Sequence, residues 1–243
     1  MEARDRMILA LDVDHFQEAQ DLVREFREHV GMFKVGKQLF THCGTKIIDF
    51  IKMRDAKVFL DLKYHDIPNT VSKAGIEAAK LGVDMFNVHA SGGLTMMQSA
   101  KQALVDAGKK LAVERPRIIA VTVLTSLDDA ELARIGIALS AADLTRKLAL
   151  LAREAGLDGV VASGQDAAMI RELCGKDFII VTPGVRLAEG AHDQKRVITP
   201  KAAVQAGATY IVLGRAVLET PKPRETLTQI EQDIRDALSG QQG

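Results

Sequence analysis

The chain has 243 residues, 47% hydrophobic and 26% charged, with 32 basic and 32 acidic side chains and a net charge of zero. That balance gives no electrostatic footprint for nucleic acid or for an anionic membrane surface, so the expected ligand is small, with its charges matched locally. The two cysteines, Cys43 and Cys174, stand far apart in no metal-ligand spacing, which argues against a disulfide framework and for a reducing, cytoplasmic setting.

The first apolar run, Met7–Leu11, predicts a strand that stops at Asp12; it is too short for a signal-peptide core, and no later segment approaches a membrane span. A helical pattern follows over Phe16 to His29, with Phe16, Ala19, Leu22, Val23 and Phe26 at three- and four-residue spacing. Met32–Val35 predicts a second strand and Thr45–Met53 a second helix. Val58–Leu62 and Thr70–Leu81 form the third pair, Met85–Val88 and Thr95–Ala107 the fourth. Ile118–Val123 is the fifth strand, followed by an extra short helix over Asp128–Ile135 and a long one over Ala141–Ala155. Gly159–Val161 pairs with Ala167–Leu173, Phe178–Val181 with Pro200–Ala206, and Tyr210–Leu213 with Pro223–Leu238.

Most strand candidates are apolar throughout rather than alternating, as expected of parallel strands covered on both faces. Pro200 and Pro223 suit a first helical turn, and Gly82, Gly108, Gly156 and Gly207 fall where left-handed C-caps are expected. No linker, low-complexity tract or repeat divides the chain. Eight strands alternating with eight main helices predict a single-domain α/β fold, a (β/α)8 TIM barrel over 1–243. The alternative, an open doubly wound sheet, lacks a glycine-rich dinucleotide fingerprint after its first strand.

A barrel of this kind carries its site at the C-terminal strand ends. Those ends hold Asp12, Lys34, Asp61 with Lys63, Asn87 with His89, Thr122 with Thr125 and Ser126, Ser163 with Gln165, Thr182 to Arg186, and Gly214 with Arg215. Several have plain structural readings. Asp12 reads equally as the start of a solvated loop, His89 as a hydrogen-bonding structural group, Ser163 and Gln165 as helix caps, and both cysteines as inert small residues.

The stretch FLDLKYHD resists such a reading. Asp61 and Lys63 are two apart, so on a strand they face one side, and Asp66 follows three residues later. Buried ion pairs add little stability, so three charges gathered at one strand end suggest chemistry. The second informative feature is TPGVR with LGR. Gly184 and Arg186 follow strand seven, and Gly214 and Arg215 follow strand eight, the two loops with which barrels commonly bind phosphate. The polar loop 184–195 is long for its place and suggests a lid, or else a plain surface loop.

DLKYHDIPNT resembles the D-x-K-x-x-D-I-P-x-T signature of the orotidine 5′-phosphate decarboxylase family. LALDVD, FKVGKQLF, FNVHASGG, VTVLTS, TPGVR, the DQKR-x-x-TP stretch and IVLGRAV follow in the family's order over nearly the whole chain, and the length resembles its compact bacterial form. Leu187 departs from the pattern, in which proline often follows the TPGVR arginine. The resemblance implies a metal- and cofactor-free decarboxylation of orotidine 5′-monophosphate to uridine 5′-monophosphate, the last step of pyrimidine biosynthesis, in a cytoplasmic homodimer. It implies Lys63 as the acid that protonates C6, with Asp61 beside the departing carboxylate and Asp66 and Lys34 completing a charged row. Asp12 and Lys34 would contact the ribose, the Thr125 region the base, and Arg186, Gln194, Gly214 and Arg215 the phosphate. Asp66, Ile67 and Thr70 would reach into the neighbouring subunit's site.

Two other readings stand beside it. One is a sugar-phosphate decarboxylase or aldolase of the same superfamily that uses D-x-K-x-x-D with a divalent metal; the Ile67-Pro68-Asn69-Thr70 continuation argues against it. The other is a non-catalytic nucleotide-binding barrel, which would have no need of the Asp61, Lys63 and Asp66 row.

Overall fold

In the computed structural model, which describes residues 1–111, 114–186 and 198–240, eight parallel strands pair in sequence order and close on themselves. They are β1 (Met7–Ala10), β2 (Met32–Gly36), β3 (Val58–Tyr64), β4 (Met85–His89), β5 (Arg117–Val121), β6 (Gly159–Val161), β7 (Ile179–Thr182) and β8 (Tyr210–Leu213). The helices are α1 (Phe16–Phe26), α2 (Lys37–Cys43), α3 (Lys46–Lys52), α4 (Pro68–Lys80), α5 (Leu94–Leu111), α6 (Asp129–Arg134), α7 (Ala141–Glu154), α8 (Ala167–Cys174), α9 (Pro200–Gln205), α10 (Arg215–Leu218) and α11 (Pro223–Ser239). This is the (β/α)8 barrel that the alternation of elements predicts.

Two apolar layers hold it together. Ile8, Met32, Phe59, Met85, Ile119, Ile179 and Val181 fill the barrel interior, and a larger cluster packs the outward strand faces against the helices. Because side chains alternate along a strand, the inward positions above Met32, Phe59 and Met85 are Lys34, Asp61 and Asn87. The fold thus places a polar layer directly above an apolar plug.

The N-terminal ends of the strands are pinned by a recurring device. The Asp84 carboxylate accepts from Val58 N–H at 2.8 Å, the Asp158 carboxylate from Ile118 N–H at 2.8 Å, and Thr209 Oγ1 from Ile180 N–H at 3.0 Å. Burial opposes the charge on Asp158, but bonds from Arg115, Lys101 and the Ile118 N–H outweigh it and hold its carboxyl at about 2.

Pro200 and Pro223 open α9 and α11 as expected, and Gly82, Gly156 and Gly207 are left-handed, with φ of 70°, 73° and 99°. Gly108 is not a cap: α5 runs through it to Leu111, so the helix outlasts the predicted end at Ala107. Neither α2 nor α10 is predicted from periodicity: α10 spans a single turn, and α2, although as long as α3, buries just Leu39 where α3 buries Ile47, Ile48, Phe50 and Ile51.

Candidate active site

At the C-terminal mouth of the barrel, four charged side chains form a continuous row. Lys34 Nζ donates to Asp12 Oδ1 at 2.9 Å and lies 3.4 Å from Asp61 Oδ2, while Lys63 Nζ donates to Asp61 Oδ1 at 2.6 Å. Lys34 and Asp61 are nearly enclosed, their side chains 10% and 11% exposed, whereas Asp12 is 55% exposed at the rim. The row therefore runs from solvent into the barrel, alternating in sign.

The backbone makes this possible at two points. Lys63 has a φ of 54°, and the pairing of β3 with β4 shifts register between Leu60 and Tyr64. A lysine in the left-handed region is strained, and such strain concentrates where a side chain must be re-aimed. At Gly36 a Cβ would lie 3.1 Å from Asp12 Oδ1 and 3.2 Å from Lys34 Nζ, so the missing side chain is the space in which that pair meets.

Asn87, buried at the inward position of β4, is the residue that sequence reasoning left without a role. Its Oδ1 accepts the Lys63 backbone N–H at 2.8 Å and its Nδ2 donates to Asp61 Oδ1 at 2.6 Å. The signal available was its parity with Met85 along the strand, which places it in the same layer as Lys34 and Asp61.

Two cavities meet at the row. A cavity of about 180 Å³, lined by Phe59, Val121, Val123, Leu124, Thr125, Val161, Ala162, Pro183 and Val212, has Lys34, Asp61 and Lys63 at its edge. Its apolar walls suit a planar ring presented edge-on to the charges. A second cavity, of about 610 Å³, shares Lys34, Asp61, Pro183 and Val212 and extends over Asp12 to Gly184, Arg186, Gly214 and Arg215. Gly184 is left-handed at φ 75°, and Gly214 opens the short helix α10. The two loops after β7 and β8 therefore converge on one space, the arrangement expected of a phosphate site.

Other expected positions lie elsewhere. Asp66, Ile67 and Thr70 are exposed at the start of α4; Asp66 accepts the Ile67 N–H at 2.6 Å and makes no ion pair with Lys63 in its own chain. Thr122 Oγ1 donates to the Val161 carbonyl at 2.9 Å, and Ser163 Oγ accepts from Gln165 N–H at 3.4 Å, both structural uses. The thiols of Cys43 and Cys174 are pushed up chiefly by burial, as suits inert side chains. His89 makes no side-chain hydrogen bond among the described residues; its ring lies 5.7 Å from that of His65. Gln194, Leu187, the DQKR stretch and most of the proposed lid 184–195 lie outside the described residues. Among the described residues no group of three or more His, Cys, Asp or Glu side chains is placed to hold a metal ion. Among the described residues no helix is long and apolar enough to cross a membrane.

An orotidine 5′-phosphate decarboxylase of Geotalea uraniireducens is 50% identical over 234 residues, covering 96% of each chain. The crystal structure of orotidine 5′-phosphate decarboxylase from Lactobacillus acidophilus matches with a TM-score of 0.82 at 36% identity, covering 94% of this chain and 98% of that one. That of the Pyrococcus horikoshii enzyme matches with a TM-score of 0.74 at 27% identity, over 94% and 99%. A family model matches residues 5–230, a span that takes in every strand and the residues after β7 and β8, and by it the chain belongs to the orotidine 5′-phosphate decarboxylase / HUMPS family.

Proposed function

We propose that the protein is an orotidine 5′-monophosphate decarboxylase, a carboxy-lyase forming uridine 5′-monophosphate and carbon dioxide in pyrimidine biosynthesis. The observation that carries this reading is the Asp61–Lys63 pair, 2.6 Å apart, at the edge of an apolar ring-sized cavity that opens toward the Gly184, Arg186, Gly214 and Arg215 loops.

The pyrimidine occupies the smaller cavity near Thr125, Asp12 and Lys34 contact the ribose, and the phosphate lies against Gly214, Arg215, Arg186 and Gln194. Breaking the bond from C6 to the carboxylate releases carbon dioxide and leaves an electron pair in the ring plane, where the π system accepts it poorly. The Lys63 ammonium attracts that charge as it develops and then delivers its proton to C6. Fixed charges aimed at developing charge usually provide the largest catalytic contribution. Asp61 orients Lys63 and faces the departing carboxylate, and Lys34 holds Asp61 from the other side. No metal or organic cofactor takes part in this scheme.

The charged row as it stands in one chain ends at Lys63, with Asp66 turned to solvent beside exposed Ile67 and Thr70. An exposed isoleucine (66% exposed) next to a carboxylate with no ion pair among the described residues favours a homodimer in which Asp66, Ile67 and Thr70 reach the neighbour's site.

The test is turnover of excess orotidine 5′-monophosphate in the presence of a chelator, followed by absorbance, with Lys63→Ala in parallel. Multiple turnover abolished by the substitution is the expected result. Activity that appears only with magnesium and a keto-sugar phosphate would move the chain to a metal-dependent chemistry. No turnover in either condition would leave a phosphate-binding barrel.

A further inference from the structure

The opposite, N-terminal pole of the barrel carries a cavity of about 660 Å³ with no part in the site above. Its floor is apolar: Met32, Met85 and Tyr210 belong to, or pack against, the cluster that fills the barrel interior. Its walls hold five cations, Lys52, Lys57, Lys80, Arg115 and Arg117, against two acids, Asp84 and Glu114. In a chain whose net charge is zero, that is a local excess.

The cations fall into two groups. Lys52 is tied to Asp84 at 3.0 Å, Arg115 to Asp158 at 2.7 Å, and Lys80 to exposed Glu77 at 2.7 Å. Asp84 is further committed to the Val58 N–H, so its charge is spent on holding β3. Lys57 and Arg117, both exposed, have no side-chain partner among the described residues. Lys57 immediately precedes β3, and Arg117 opens β5, beside Met85 in register. Two strand spacings and a two-residue offset along the strands separate them, about 12 Å at the backbone, a gap that two long side chains bridge onto a ligand lying across the β4 end. Arginine supplies a planar fork for phosphate oxygens and lysine a point charge.

We propose that this cavity is a second, non-catalytic binding site for a small polyanion bearing two or more linked phosphate groups, held by Arg117 and Lys57 over the Met32, Met85 and Tyr210 floor. The site does not depend on the chemistry at the other pole, since none of its residues lines the charged row or the phosphate loops.

The experiment is calorimetric titration of the full-length protein with inorganic tripolyphosphate at low and at physiological salt, on wild type, Lys57→Glu, Arg117→Glu, Arg215→Ala and the surface control Lys147→Glu. Wild type should bind two equivalents. Arg117→Glu and Lys57→Glu should each weaken one equivalent at least tenfold while turnover and the other equivalent persist, and Arg215→Ala should remove only the other. Retained turnover shows that the charge-reversal variants fold. A wild-type isotherm with a single equivalent, lost in Arg215→Ala, overturns the proposal. So does an equal loss in Lys147→Glu, which would make the effect one of net charge, or an isotherm unchanged in both Lys57→Glu and Arg117→Glu.

Discussion

Asn87 holds Lys63 by the backbone: its side-chain oxygen accepts the Lys63 N–H at 2.8 Å, and its amide nitrogen donates to Asp61, the acid paired with the same lysine. One neutral side chain thereby fixes both members of the central ion pair. Asn87→Ala leaves a buried N–H and one lone pair of Asp61 unsatisfied, which costs about 1–3 kcal/mol. If that cost is expressed in the transition state, kcat falls roughly ten- to a hundredfold. KM should hardly change, because Asn87 lines neither cavity. Steady-state kinetics checks this, and an unchanged kcat would deny Asn87 a positioning role.

Lys63 pays for its position with a backbone in the left-handed region, φ 54°. A side chain with a Cβ is disfavoured there by about 1–2 kcal/mol relative to glycine. Lys63→Gly and Lys63→Ala should both lose the proton donor and turnover, yet Lys63→Gly should be the more stable by roughly 1 kcal/mol. Denaturant midpoints of the two variants decide it; equal midpoints would mean that the bulge relaxes when the lysine is gone.

Much of this was legible in the sequence, for identifiable reasons. Strands such as Met7–Ala10 and Ile179–Thr182 are buried on both faces, so their uninterrupted apolar runs stand out. Asp61 and Lys63 were read as facing one side by strand alternation, and they do meet, but a register shift and a left-handed residue help bring them together, neither of which alternation contains. Asn87 is visible in the sequence as a strand-end residue but gains no role there, because a neutral amide leaves no charge pattern. Arg215–Leu218 is a single turn, and Lys37–Cys43 buries one side chain, Leu39, so it shows no apolar stripe. Gly108 was misread because a glycine inside a long helix looks, locally, like one that ends it.

Gly36 has φ −89°, open to any residue, so Gly36→Ala introduces no backbone strain. Its methyl would instead press on Asp12 Oδ1 and Lys34 Nζ at 3.1 and 3.2 Å. The expected outcome is a protein at least as stable as wild type by thermal unfolding, since alanine restricts the unfolded chain more than glycine. Its kcat/KM should be lower by about tenfold, a cost near 1.4 kcal/mol. A loss of stability without loss of activity would mean that the charged row moves aside freely.

Arg215 lines the larger cavity, remote from the bond that breaks. Remote binding energy can be used to organise the reacting groups, so its loss should reach kcat as well as KM. Arg215→Ala should lower kcat/KM for orotidine 5′-monophosphate far more than for orotidine, which has no phosphate to lose. Equal losses on the two substrates, measured side by side, would place the phosphate elsewhere.

His89, at the end of β4 and outside both cavities of the site, couples folding stability to pH. Burial lowers it to about 4, with the charges of His65, Lys37 and Lys63 acting in the same direction and Asp61 opposing them. Its ordinary value is about 6.5, so between pH 6.5 and 4 the unfolded chain binds a proton that the folded chain refuses. Stability that is present above pH 6.5 is therefore lost progressively as pH falls toward 4, and below 4 this contribution levels off. The ring stays partly open to solvent, which screens the effect. His89→Gln removes the titration while keeping a polar side chain, so its melting temperature should fall less than that of wild type between pH 7 and 4.5. His65→Gln removes one of the repelling neighbours and should shift the wild-type loss to lower stability cost, giving an intermediate slope. Parallel slopes in all three proteins would assign the acid sensitivity to other groups.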